Sequence, residues 1–108
     1  MAFTPPDDPL SLSLADFSRD LAVNVTSPFL AAQQAAQGFA QLPGSAAKTF
    51  IYTGNLLNKE VFPRMMSLGI GKSATAHMVH SAAAAYKERG FKSVLSRLFS
   101  GAPCTVRR

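Results

Sequence analysis

Few residues in this chain are of types that do chemistry, and most of them stand alone. Gly69-Ile70-Gly71-Lys72-Ser73 has the ending of a phosphate-binding loop. Such a loop needs a glycine five positions before its Gly-Lys pair, where the backbone curls round a phosphate, and a strand leading straight in. Met66 stands at that position and Pro63-Arg64-Met65 reads as loop, so nucleoside triphosphate chemistry is excluded. His77 and His80 lie three apart on one predicted helix and could face one ion. A metal site needs a third ligand, and the only thiol, Cys104, is in the distant tail, so no metal is expected. Glu60 and Glu88 pair with no His or Cys at a catalytic spacing, and Ser45, Ser67, Ser73 and Ser81 lack the context of a nucleophile elbow.

The elements that must position these residues follow from punctuation and period. Residues 1–12, with Pro5, Pro6, Pro9 and Asp7-Asp8, read as an extended loop. Ser13 and Asp16 make a capping pair for a helix whose face carries Leu14, Phe17, Leu21 and Val25. Ser27-Pro28 should kink or restart that helix, with Thr26 or Ser27 as the new cap, before it runs to about Gln41. Lys48 to Thr53 is the best strand, and its consecutive apolar positions suit a strand covered on both faces. A second helix runs from about Ile70 to Arg89, with Gly90 placed just past its end. The small residues Ala74, Ala76, Ser81 and Ala82 to Ala85 let it approach a neighbour closely. One strand between helices leaves sheet edges unpaired, so this order predicts part of a βαβ-type fold.

Composition bounds the rest. The chain has 108 residues, 47% hydrophobic, so it is one domain or less and not disordered. No apolar run approaches the ~18 residues of a membrane span, and the start lacks the pattern of a secretory signal. A single cysteine allows no intrachain disulfide and makes a reducing, cytoplasmic interior the default. The net charge of +5 is uneven: residues 1–47 carry Arg19 against four aspartates, whereas residues 48–108 carry ten Lys/Arg against Glu60 and Glu88. The lysines are scattered and not interleaved with aromatics, so the basic half is read as solvated helix faces and a basic tail, with no nucleic-acid partner.

Helix, strand and second helix together resemble a known family. Leu21 to Phe29, containing Val23-Asn24 and Phe29, looks like the mid-domain helix of short-chain dehydrogenases/reductases. Phe50-Ile51-Tyr52-Thr53-Gly54-Asn55 resembles the strand ending in that family's catalytic serine, and Lys72-Ser73-Ala74 resembles its Tyr-x-x-x-Lys-x-Ala segment. Leu68 to His77 looks like a divergent, chiefly fungal branch that keeps the lysine in a Gly-x-Gly-Lys setting. The resemblance covers residues 3–91. It implies a partial Rossmann-like α/β domain, two long helices flanking one central strand in an incomplete parallel sheet, and an NAD(P)-dependent oxidoreductase of carbonyl or alcohol substrates, in fungal relatives serving secondary metabolism.

Carried over by position, the resemblance makes Asn24 the helix asparagine of a water-mediated proton path. Lys72 becomes the lysine that hydrogen-bonds the nicotinamide ribose, and Asn55 falls at the serine position, with Thr53 an alternative hydroxyl. Leu68 occupies the tyrosine position and has no proton to give, so the usual general acid is absent. The family's glycine turn for NAD or NADP precedes the point where this chain begins, so independent cofactor binding and catalysis are not expected. Gly90-Phe91-Lys92 should lead into another parallel strand. Phe91, Leu95, Leu98 and Phe99 instead recur at helical spacing, and the resemblance stops there. Residues 92–108 are read as an atypical basic tail from a shifted frame, alternative splicing or a gene-model error, and the whole as truncated at both ends. The alternative reading is an interaction module, its two long helices pairing as a homodimer or with a full-length relative.

Overall fold

Ser13 opens the first helix as its spacing predicts. Its side chain accepts the backbone N–H of Asp16 at 3.1 Å, satisfying a donor that a helix start leaves orphaned, and Asp16 pairs with Arg19 one turn on. The structure, a computed structural model, describes residues 1–54 and 56–97, with side-chain surroundings through residue 92. Helix α1 (Leu14–Leu21), a π-helical turn (Ala22–Thr26) and helix α2 (Ser27–Ala40) follow without a break. A new α-helical run does start at Ser27, as the Ser27-Pro28 pair predicts, but the chain stays helical into it and Thr26 makes no side-chain cap. The wider turn takes up the proline instead: Ser27 donates both its backbone N–H and its hydroxyl to the carbonyl of Ala22, five residues back. Pro28, with no N–H of its own and a ring that crowds the turn before it, is buried there.

Strand β1 (Lys48–Gly54) forms where expected. A turn at Pro63–Met65 feeds helix α3 (Met66–Ala85), which starts a turn earlier than the sequence suggested. It ends in the turn Lys87–Arg89, after which Gly90, at φ 72°, takes the left-handed conformation that glycine adopts without strain. Strand β2 (Phe91–Arg97) then pairs in parallel with β1, from Lys48 opposite Phe91 to Gly54 opposite Arg97. The fold is thus a β1–α3–β2 unit preceded by one long helix, with a two-stranded parallel sheet. This corrects the single central strand and the helical reading of the tail. A helical period seen over two turns does not separate helix from a short apolar strand, and here the ladder to β1 decides. Leu98, Phe99 and the rest of the tail lie outside the described residues.

The apolar core is small. Ala76 and Val79 of α3 are buried, with Tyr52 and Met78 packed against them. Phe91 is buried too, with its ring edge-on to Phe39 at 5.4 Å and to Tyr86 at 5.5 Å and the Lys48 ammonium 5.5 Å above it. One aromatic thus joins the end of α2, the end of α3 and both strands. Phe50 and Tyr52 alternate on the half-buried face of β1, while Ile51 is 63% exposed. Cover on both strand faces, expected from the sequence, is not found among the described residues. No described helix is long and apolar enough to cross a membrane.

Candidate functional site around Lys72

The buried contacts of α3 with α1 and the π turn are made by polar and small side chains. On α3, Ser67, Gly71 and Thr75 recur every four residues, all buried, and they face Asp20 and the Asn24 of the π turn. The Ser67 hydroxyl donates to the Asp20 carboxylate at 2.5 Å. The Thr75 hydroxyl donates to the Asn24 carbonyl, an acceptor that the residue four positions on, Pro28, has no N–H to reach. Asn24 turns its side-chain amide back to the Asp20 carbonyl at 2.9 Å. Between these contacts Gly71 lets the helices touch: a Cβ there would lie 2.6 Å from the Asn24 Cβ.

Asp20 is 3% exposed yet its carboxyl is held below the ordinary value of 3.8. The Ser67 hydroxyl is the largest cause, opposed by burial and helped by the Ala2 backbone N–H at 3.1 Å and the nearby amino terminus. Thr4 continues this strap, its N–H on the Arg64 carbonyl and its hydroxyl on that of Pro63.

Lys72 follows Gly71 and is half-buried. Its ammonium donates to the Tyr52 hydroxyl at 3.0 Å and lies 5.0 Å from the Tyr52 ring centre. Leu68, one turn earlier on α3, is half-buried and brings no polar atom. The structure therefore seats Asn24 against the residue preceding Lys72. It leaves Thr53 exposed on β1, and Asn55 lies outside the described residues. His77 and His80 are both exposed, and no group of three potential metal ligands occurs among the described residues. Gly69 and Gly71 lie inside α3, not in a loop. A cavity of about 470 Å³ opens beside Lys72's neighbours, Gly69, Ile70 and Ser73, walled mainly by Leu57, Val61, Phe62 and Met66. The sequence reading missed Tyr52, Asp20, Ser67 and Thr75. The four-residue step of Ser67, Gly71 and Thr75 was the available signal for the helix contact; nothing in the spacing of Tyr52 and Lys72 marks them as partners.

A parallel βαβ unit with a lysine-bearing crossover helix packed on an asparagine-bearing one defines, among the described residues, a mixed helix/strand protein with a small two-stranded parallel sheet. The chain is 49% identical over 92 residues to the short chain dehydrogenase/reductase dmxR12 of Cryptosporiopsis sp. (strain 8999). That match takes in 85% of this chain and 37% of the relative's length. The chain is thus similar over most of its own length to a short-chain dehydrogenase/reductase, of which it spans little more than a third. No family model matches it, and no solved structure does.

Proposed function

We propose that this chain carries the lysine-bearing part of an NAD(P)-dependent oxidoreductase that interconverts a carbonyl and an alcohol, in the cytoplasm and in the service of secondary metabolism. The observation that supports it is Lys72, set on α3 next to the glycine that receives Asn24, in a chain 49% identical to a short-chain dehydrogenase/reductase. The residues fit one end of a dinucleotide. Lys72 would hold its ribose hydroxyls, and the bound dinucleotide would supply or accept a hydride. The diphosphate end has no cradle among the described residues, because Gly69 and Gly71 are inside α3 and Gly71 is sealed by Asn24. A helix start preceded by a glycine turn is what such an anion requires.

These 108 residues by themselves therefore bind the dinucleotide weakly and turn over little, the more so because Leu68 offers no proton where the family has a phenol. Incubation of the purified protein with NADH or NADPH, their oxidised forms and a panel of aldehydes, ketones and alcohols tests this. Turnover at background supports the reading, and turnover well above it overturns the reading.

A second reading is favoured by the long helix, which leaves Leu14, Val23, Phe29 and Leu30 exposed. Exposed apolar side chains on a helix are available to a partner. In this reading α1 and α2 pair with a second copy or with a longer relative. Light scattering at increasing concentration should then show a dimer, and a monomer throughout would remove self-association.

A further inference from the structure

Lysine side chains are long and hold one position only when something fixes the ammonium. Among the described residues no carboxylate lies within ion-pair distance of Lys72; the ion pairs there are Arg19 with Asp16 and the amino terminus with Asp20. What meets Lys72 is Tyr52, through both its hydroxyl at 3.0 Å and its ring at 5.0 Å. Tyr52 is well suited to hold another group because it is itself held. It lies within β1, two residues from Gly54 at the strand's end, and its ring packs against buried Ala76 and Val79 of α3. Position 68, which could reach Lys72 from one helical turn away, carries a leucine.

We propose that the phenol beside Lys72 comes in this chain from the strand rather than from the helix, and that Tyr52 is the positioning residue that fixes the Lys72 ammonium. The inference rests on the reading of Lys72 as the functional lysine. The geometry places the ammonium off the hydroxyl end of the ring, whose centre is 5.0 Å away, and the hydroxyl oxygen accepts one of its three N–H bonds. The phenol's own hydrogen stays available to a bound molecule.

Competitive labelling with trace acetic anhydride, mapped by mass spectrometry, tests this on the purified protein without any dinucleotide. In Tyr52→Phe the Lys72 amine should label faster by about threefold to tenfold, the size of one lost hydrogen bond. Exposed Lys59 and Lys87 serve as rate references, and buried Lys48 should stay protected if the fold is intact. An unchanged ratio of Lys72 to Lys59, with Lys48 still protected, overturns the proposal. Lys72→Met provides the converse measurement should Tyr52→Phe unfold. The chain has no tryptophan and two tyrosines, so a change in the near-ultraviolet tyrosine spectrum is expected, and an unchanged spectrum overturns the proposal. Tight dinucleotide binding by the unaltered protein would instead overturn the expectation of weak cofactor binding while leaving the labelling ratio as it is.

Discussion

Gly71 and Gly69 stand two residues apart in α3 and should respond oppositely to alanine. At Gly69 an added Cβ meets only the Leu57 carbonyl at 3.6 Å, ordinary contact, so the helix propensity of alanine adds up to about 1 kcal/mol. At Gly71 the Cβ would stand 2.6 Å from the Asn24 Cβ, next to backbone and unable to swing away. The helices must part, at about 1–3 kcal/mol, which outweighs the propensity gain. Urea melts of Gly69→Ala and Gly71→Ala should shift in opposite directions. Asp20 adds a pH dependence whose sign follows from its depressed carboxyl. Its stabilisation is fully present above the ordinary carboxylate value of 3.8 and is lost as pH falls below that value through the depressed one. Asp20→Asn should lower stability at neutral pH by about 1–3 kcal/mol and flatten the stability profile below pH 3.8 relative to the unaltered protein.

At the scale of elements, the reading of the sequence succeeded where one local cause decides the outcome. Ser13 caps because its hydroxyl can reach the next turn, and Gly90 ends the α3 region because φ there is positive. It failed where two causes compete. Pro28 read as a kink or a restart, and α2 does start at Ser27, but the widened turn that carries the chain into it and leaves the Asn24 carbonyl for Thr75 was not foreseen. The segment after Gly90 read as helical, yet a ready parallel partner made it a strand. The Tyr52–Lys72 pair was invisible for a related reason: it joins a strand to a helix twenty residues on, a distance that no local spacing encodes. Phe91 is the side chain on which β2's docking depends most. Phe91→Ala removes both edge-on aromatic contacts and should cost about 3–5 kcal/mol, read as loss of parallel-strand signal and a lower thermal midpoint by circular dichroism.

Among the described residues there is less core than the helices call for: two strands make the sheet, Ile51 is open on one face of β1, and large apolar side chains stay exposed along the first helix. These features agree with a chain that matches its relative over 37% of that relative's length. The polar seam from Asp20 to Thr75 brings Lys72 into place, whereas nothing described grips a diphosphate. Calorimetric titration of the purified protein with NADPH and with NADH tests that division of labour most directly. No saturable binding tighter than about 1 mM, less than roughly 4 kcal/mol, is expected; a complex in the micromolar range would contradict that division.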